Sequence, residues 1–180
     1  MNIEAIFAGF GGQGVMLMGQ LLAYSGMYEG KNVSWFPSYG PEMRGGTANC
    51  SVIVSDDPVG SPVISEPEIL VAMNRPSMEK FEPTLKSGGT LYYNSSLIDI
   101  KPKRTDIKAV AIPANDIATA LGNSRVANMV VVGAILQNTH VVDIETVMNV
   151  LKEKVLTGKK QNLVDINRAA LEKGMELLAG

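Results

Sequence analysis

Apolar residues occur in short and long runs along the chain, and the two kinds of run predict alternating strands and helices. Residues 3–8 form a short apolar run that is typical of a buried strand. Residues 15–28 form a longer run, which exceeds the usual length of a strand and predicts a helix. Further strands are predicted at residues 32–36, 47–54, 68–73, 90–93 and 109–112, with a short return strand at 59–64.

Two of these strands differ in pattern, and the difference predicts a mixed sheet. Residues 47–54 largely alternate, with Ala48 and Cys50 on an apolar face and Asn49 on a polar one. Such alternation is typical of antiparallel pairing with one side left for water or a partner. Residues 68–73 are apolar throughout, as expected of a parallel strand that is buried on both faces.

The last third of the sequence is dominated by helical periodicity. Helices are predicted at residues 125–137, 143–156 and 160–178, after shorter helices at 76–82 and at 115–122. The fold class expected is therefore α/β: a three-layer α/β/α arrangement with a mostly parallel sheet, some antiparallel strands, a Rossmann-like start and a helical C-terminal third. The length of 180 residues predicts a single domain over residues 1–180.

Two predicted helices carry patterns that bear on their packing. Residues 15–28 are apolar on two sides, so we expect part of this helix to be covered by another subunit. The helix at 160–178 is amphipathic, and its apolar face is formed by Leu163, Ile166, Ala170 and Leu177.

A glycine-rich turn joins the first strand to the first helix. It consists of Gly9, Phe10, Gly11, Gly12, Gln13 and Gly14. Glycines permit a positive φ and close approach by another group, and a following helix offers free N–H groups and its positive end to an anion. Three interpretations stay open: a bound dinucleotide, another anionic ligand, or a tight turn with close helix packing.

The second predicted strand lacks a feature that a dinucleotide site usually has. NAD and FAD sites usually have an Asp or Glu at its end to bind the ribose. Here residues 32–36 are followed by Pro37 and Ser38, and Glu29 precedes the strand.

A second loop carries side chains that a plain connection does not need. Its candidate site residues are Ser38, Tyr39, Gly40, Glu42, Arg44, Gly45 and Gly46. The interpretations left open are a binding loop and a solvated connection with an internal Glu–Arg pair. Asn74 and Arg75 follow the strand at 68–73, at the sheet edge where ligands of open α/β folds gather. We therefore expect both loops and these two residues to lie at one edge.

Composition excludes several classes of function. The 16 basic and 18 acidic residues give a net charge of −2. The sequence has no basic tract of the kind that would predict nucleic-acid binding. The one cysteine, Cys50, excludes an internal disulfide and an iron–sulfur cluster held by this chain alone. No apolar run reaches the roughly 18 residues of a membrane span, and the N-terminus lacks a basic region, so a cytoplasmic location is predicted. His140 is predicted at the surface, and neither a catalytic constellation nor a metal site is evident.

Two motifs together resemble a known family. They are Gly9-Phe10-Gly11-Gly12-Gln13-Gly14-Val15 and Ser38-Tyr39-Gly40-Pro41-Glu42-Met43-Arg44-Gly45-Gly46-Thr47-Ala48. Both resemble the gamma subunit of 2-oxoacid:ferredoxin oxidoreductases, and residues 69–74 and 125–128 fit as well. The second motif looks most like the 2-oxoglutarate or branched-chain 2-oxoacid members.

The resemblance implies an oxidative decarboxylation in which a 2-oxoacid and coenzyme A give acyl-CoA, carbon dioxide and reduced ferredoxin. It implies that this subunit contributes to coenzyme A binding and to assembly, while thiamine diphosphate and the iron–sulfur clusters belong to partner subunits. The implied partners are alpha, beta and ferredoxin-like delta subunits, with ferredoxin as electron acceptor. The apolar surface of residues 15–28 predicts, separately, a homodimer when the chain is isolated. The alternatives are a stand-alone NAD- or FAD-dependent oxidoreductase and a purely structural subunit.

Overall fold

The computed structural model describes residues 1–38 and 47–180 and contains a six-stranded sheet within them. The strands are β1 (Asn2–Phe10), β2 (Asn32–Ser38), β3 (Thr47–Ser55), β4 (Ile69–Ala72), β5 (Thr90–Asn94) and β6 (Lys108–Ile112). Their spatial order is β2-β3-β1-β4-β5-β6. β1, β4, β5 and β6 run parallel, whereas β3 is antiparallel to both of its neighbours, β1 and β2. The predicted mixed α/β sheet is confirmed.

Helices account for most of the remaining regular structure. They are α1 (Val15–Tyr28), α2 (Arg75–Phe81), α3 (Ala114–Ala120), α4 (Ala127–Thr139), α5 (Ile144–Val150) and α6 (Val164–Glu176). A π-helical turn, Leu151–Val155, continues α5, and short 3₁₀ turns cover Glu82–Thr84, Ser124–Val126 and Gly158–Leu163. The C-terminal third is helical, as the sequence predicts.

The two faces of the sheet have cores of unequal size. Phe7 of β1 packs into the larger core, which also contains residues of α1, α4, α5 and α6. Its neighbour Ile6 faces the other way, into a smaller core with Met78 of α2 and Ile98. Successive strand residues point to opposite faces, so this alternation divides the helices into a thick layer and a thin one.

Helix α4 lies between the sheet and α6, and residues 127–136 are buried without interruption. Gly133 and Gly174 make the contact between α4 and α6 possible. A Cβ at Gly133 would collide with the backbone carbonyl of Leu171, and a Cβ at Gly174 would collide with that of Val130. The absence of side chains lets the two helix backbones touch.

Two local predictions are wrong, and a third holds with a change in the type of helix. Residues 59–64 form no strand, and Val63 is 70% exposed, because Pro62 lacks the N–H donor that pairing needs. The helix predicted at 143–156 changes to a π-helical turn at Leu151. Leu177 is exposed, while Leu171 and Gly174 are buried, because the close contact with α4 sets which side of α6 faces inward.

Candidate functional site

The glycine turn lies at the carboxyl edge of β1 and begins α1. Gly12 has φ 88° and Gly14 has φ 74°, a left-handed conformation that L side chains adopt at a cost of about 1–2 kcal/mol. Gly11 and Gly12 are exposed, and a Cβ at either would meet nothing within 4 Å. Gly9 is different, since a Cβ there would come within 2.9 Å of Gln13, Val15 and Met73. Gly9 therefore allows close packing of its neighbours, whereas Gly11 and Gly12 leave the backbone open to a ligand.

The side chain of Gln13 holds this turn in place. Its Oε1 accepts hydrogen bonds from the backbone N–H of Phe10 at 2.6 Å and from Nδ2 of Asn74 at 3.1 Å. Its Nε2 donates to the backbone carbonyl of Met73 at 3.1 Å. Gln13 was predicted as a ligand residue, but its polar atoms are engaged in joining the turn to the end of β4.

Asn74 and Arg75 follow β4 at the same edge. Asn74 is buried and caps α2, because its Oδ1 accepts from the backbone N–H of Ser77 at 2.9 Å. Arg75 is half exposed and lies close to two carboxylates, 3.1 Å from Glu79 and 3.8 Å from Asp99. The structure thus brings Asn74 together with Gln13, whereas Arg75 pairs with acidic side chains away from the turn.

An amide network continues along the edge to the end of β5. Nδ2 of Asn94 donates to Oδ1 of Asn115 at 2.7 Å and lies 3.5 Å from the carbonyl of Met73. Asn94 is fully enclosed, so these bonds satisfy a polar group that would otherwise be costly to bury. The residues that follow β1, β4 and β5 therefore lie together at one edge of the sheet.

The second loop joins the end of β2 to the start of β3, and the start of β3 lies beside the glycine turn. Tyr39, Gly40, Glu42, Arg44, Gly45 and Gly46 lie outside the described residues. Thr47, at its end, pairs with Phe10 across β3 and β1, and the exposed Ser38, before it, pairs with Asn49. The carboxyl ends of β1 and β2 are therefore at one edge, two strand spacings or about 10 Å apart.

The sheet order argues against a dinucleotide site. In dinucleotide-binding folds the second strand lies directly beside the first and presents an acidic residue to the ribose. Here β3 separates β1 from β2. Glu29, the acidic residue at the right distance in sequence, lies at the end of α1 and accepts a hydrogen bond from the backbone N–H of Asp143 at 2.7 Å.

Cys50 and His140 show no sign of catalytic use. Cys50 is enclosed between β3 and α1, and burial raises the pKa of its thiol to about 12. His140 is exposed and ends α4 with φ 50°. Across residues 1–38 and 47–180, no group of three or more His, Cys, Asp or Glu side chains is placed to hold a metal ion. Within the same part of the chain, no helix is long and apolar enough to cross a membrane.

Asn128 lies against the glycine turn, although its place in a largely apolar helix did not predict this. It is 6% exposed and lies directly behind the glycine turn, where a Cβ at Gly14 would collide with its side-chain amide. Its Oδ1 accepts a hydrogen bond from the backbone N–H of Met129 at 3.0 Å. The signals in the sequence were a polar residue in an otherwise apolar run and the likeness of residues 125–128 to the family.

A mixed α/β sheet with a glycine turn at its carboxyl edge defines a Rossmann-like class of α/β protein, and comparisons with known proteins identify the family. The model of the pyruvate ferredoxin/flavodoxin oxidoreductase family matches residues 4–177. The chain belongs to this family.

Two relatives illustrate the match. The chain is 38% identical over 176 residues to the ketoisovalerate oxidoreductase subunit VorA of Methanothermobacter marburgensis, covering 97% of this chain. It covers 36% of that relative, so it spans about a third of the length. It is 32% identical over 180 residues to the 2-oxoglutarate synthase subunit KorC of Methanocaldococcus jannaschii, covering 98% of this chain and 94% of the relative.

Solved structures agree with this assignment. The gamma subunit of a keto/oxoacid ferredoxin oxidoreductase from Geobacter sulfurreducens superposes with a TM-score of 0.83 at 32% identity, covering 99% of both chains. The 2-oxoglutarate:ferredoxin oxidoreductase from Magnetococcus marinus, solved with 2-oxoglutarate, coenzyme A and succinyl-CoA bound, gives a TM-score of 0.88 at 25% identity. That match covers 98% of this chain and 31% of the other.

Proposed function

We propose that the chain is the gamma subunit of a 2-oxoacid:ferredoxin oxidoreductase and contributes to coenzyme A binding and to assembly. The reaction converts a 2-oxoacid and coenzyme A into acyl-CoA, carbon dioxide and reduced ferredoxin. The substrate proposed is 2-oxoglutarate, with a branched-chain 2-oxoacid as the alternative, because the relatives carry both names. Thiamine diphosphate and the clusters belong to partner subunits on this proposal, and the single cysteine of this chain is buried.

The exposed glycine turn is the observation that carries the coenzyme A role. The first N–H groups of α1 have no partner within the helix, and they face the same end as the turn. Gly12 and Gly14 hold the backbone in the left-handed conformation, and no atom lies within 4 Å of the Cβ position at Gly11 or Gly12. Such a turn stabilises a phosphate through N–H groups and the helix dipole, and coenzyme A is a phosphate-bearing ligand.

The chain's role on this proposal is to bind and position, and the reacting atoms lie elsewhere. Gly11, Gly12 and Gly14 offer backbone N–H groups to a phosphate, while Gln13 and Asn74 keep the turn rigid. Arg44 supplies either a fixed positive charge for the same ligand or a bidentate contact with a partner's carboxylate. Glu42 orients Arg44 or contacts the partner.

The assembly role rests on the outer side of α1. Tyr24, Met27 and Tyr28 are between 38% and 49% exposed, and the first two lie beside the edge strand β2. A cavity of about 200 Å³ lies between α1 and β2, lined in part by Tyr24, Met27 and Trp35. A stable subunit contact covers about 800 Å² on each partner, and an apolar face of this kind is suited to one.

The test is the affinity of the assembled complex for coenzyme A. Gly11→Ala and Gly11→Val add a side chain where the fold has room, so assembly should persist while coenzyme A binds at least about tenfold more weakly. Gly60→Ala is the matched control, because a Cβ there also meets nothing and the residue lies in a loop remote from the turn. Equal affinities in the Gly11 variants and the control would remove the coenzyme A role and leave a structural subunit.

Substitutions of Arg44 provide a second, independent test of the proposed function. Arg44→Ala should weaken coenzyme A or subunit binding by about 1.5–3 kcal/mol, the range for a charged hydrogen bond. Arg44→Lys should restore little if the contact is bidentate and more if charge alone matters. Turnover with 2-oxoglutarate and with ketoisovalerate, measured on the same preparations, separates the two substrate classes.

A further inference from the structure

A path of side-chain amides runs along the carboxyl edge of the sheet and ends at the glycine turn. Its members are Gln13 in the turn, Asn74 after β4, Asn94 at the end of β5 and Asn115 at the start of α3. Asn74 is 3% exposed and Asn94 is 1% exposed. Buried amides lower stability unless their donors and acceptors have partners, so these amides depend on one another and on the backbone around them.

The backbone carbonyl of Met73 is the junction of this path. It accepts a hydrogen bond from Nε2 of Gln13 at 3.1 Å, and Nδ2 of Asn94 lies 3.5 Å from it. The same Nδ2 donates to Oδ1 of Asn115 at 2.7 Å. The N–H of Met73 donates to the carbonyl of Ala8 at 2.9 Å, so its peptide group is anchored to β1. Polar contacts therefore connect the start of α3 with the glycine turn.

Backbone groups fix the orientation of two amides in the path. Oδ1 of Asn94 accepts from the N–H of Ser96 at 3.3 Å, which leaves its Nδ2 for the junction. Oδ1 of Asn74 accepts from the N–H of Ser77 at 2.9 Å, which leaves its Nδ2 for Gln13. A backbone N–H only donates and a carbonyl only accepts, so turning either amide over would set like groups against each other. The path therefore has one hydrogen-bonding arrangement.

The end of the path at α3 is held by a further contact. Oγ of Ser96 accepts a hydrogen bond from the N–H of Asp116 at 3.1 Å, and Asp116 is the neighbour of Asn115. Asn115 follows β6, which lies three strand spacings, or about 14 Å, from β1. Asn115 is therefore too far from the glycine turn to contact a phosphate bound there, although polar contacts connect the two.

The glycine turn depends on support from outside. A Cβ at Gly11 or Gly12 would meet nothing within 4 Å, so packing does not restrain the backbone there. Gln13 supplies a restraint, because its Oε1 accepts from the N–H of Phe10 at 2.6 Å. Backbone N–H groups bind an anion more tightly when they are held in place before the ligand arrives. Groups that fix the side chain of Gln13 should therefore raise the affinity of the turn for its ligand.

We propose that Asn94 and Asn115 are positioning residues for the anion site at the glycine turn. They act through Met73 and Gln13, without touching the ligand. The identity of the ligand as coenzyme A rests on the proposed function, whereas the restraint on the turn does not. Because the path holds the turn and not the reacting atoms, its loss should weaken ligand binding and leave the rate at saturation unchanged.

The test substitutes Asn115, which is only partly buried, so that its variants should fold. Asn115→Leu removes the acceptor for Asn94, and Asn115→Asp keeps one. Thr119→Leu is the matched control, because Thr119 is exposed on the same helix and outside the path. In the assembled complex, Asn115→Leu should raise the KM for coenzyme A by about three- to tenfold, with kcat and the KM for the 2-oxoacid unchanged. Asn115→Asp should restore the wild-type KM.

A second measurement does not depend on coenzyme A. The N–H of Phe10 is held by Gln13, so its hydrogen exchange should be about three- to tenfold faster in Asn115→Leu than in Thr119→Leu. NMR on the full chain follows this exchange, and the amides of β3 serve as the reference because they should exchange equally in both variants.

Three outcomes would overturn the proposal. Equal KM values for coenzyme A in Asn115→Leu and Thr119→Leu would show that the path does not position the site. An Asn115→Asp value as high as that of Asn115→Leu would show that the acceptor is not what matters. Faster exchange throughout β3 as well as at Phe10 would leave the path a role in stability alone. A wild-type complex that turns over no 2-oxoacid with coenzyme A would contradict the proposed function instead, and exchange at Phe10 would still decide whether the path positions the turn.

Discussion

Oε1 of Gln13 accepts a hydrogen bond from Nδ2 of Asn74 at 3.1 Å, and this contact ties the glycine turn to the start of α2. Gln13→Ala removes it together with the bonds to Phe10 and Met73. Asn74 would then keep a buried amide with one partner fewer. We expect the free energy of unfolding to fall by about 1–3 kcal/mol, measured by urea denaturation. Gln20→Ala on α1 is the control, and an equal loss in both variants would contradict a bracing role.

The glycines of the turn should differ in their tolerance of alanine. Gly14→Ala places a Cβ against Asn128 at a left-handed φ, and Gly9→Ala places one within 2.9 Å of Met73. Both should lower stability by at least about 1–2 kcal/mol. Gly11→Ala should change it by less than about 0.5 kcal/mol, because the position is open and its φ is not positive. Thermal unfolding of the three variants decides the order, and a Gly11→Ala loss as large as that of Gly14→Ala would contradict it.

Cys50 should make stability depend on pH in the alkaline range. Its pKa in the folded chain is about 12 against an ordinary 9.0, so between these values the folded state retains a proton that the unfolded state has lost. The contribution is fully present below pH 9 and is lost as pH rises toward 12, at up to about 1.4 kcal/mol per pH unit. Cys50→Ala should flatten the curve relative to the wild type. The comparison is made by denaturation between pH 8 and about 10.5, and parallel curves would refute it.

Met27 should matter for assembly and not for folding. It is 49% exposed on the outer side of α1, so Met27→Glu adds a charge in water and should leave the unfolding temperature nearly unchanged. If partner subunits cover this surface, the buried charge should weaken co-purification by about tenfold or more. Leu177→Glu, at a residue that is 43% exposed on the far end of α6, is the matched change. Equal recovery of partners with both variants would place the interface elsewhere.

The sequence predicted the strands and helices better than it predicted which strands lie next to each other in the sheet. Alternation over residues 47–54 correctly indicated antiparallel pairing, but it holds no information on which strands lie to either side. That β3 separates β1 from β2 depends on contacts between residues far apart, such as Phe10 with Thr47. The absence of an acidic residue after Phe36 was the one local trace of this arrangement, since that strand is not placed to reach a ribose.

Side-chain roles were predicted less well than backbone features. The spacing of Gly9, Gly11 and Gly14 indicated the turn. The motif did not indicate the role of Gln13, because its hydrogen-bond partners lie after β4 and at the start of α2. Asn94 and Asn115 form a hydrogen bond although 21 positions separate them in sequence. On α6, hydrophobicity favoured Leu177, but the fit of Gly174 against α4 rotates the helix so that Leu171 turns inward.

The backbone contact of Gly133 with α6 has a consequence for synthesis on the ribosome. When α4 has emerged, ten consecutive residues that will be buried still lack the helix that makes most of their contacts. The missing cover is α6, which begins only at Val164. We therefore expect the nascent chain to remain a chaperone client until α6 is released, and ribosome-bound chains truncated before Val164 to stay sensitive to protease.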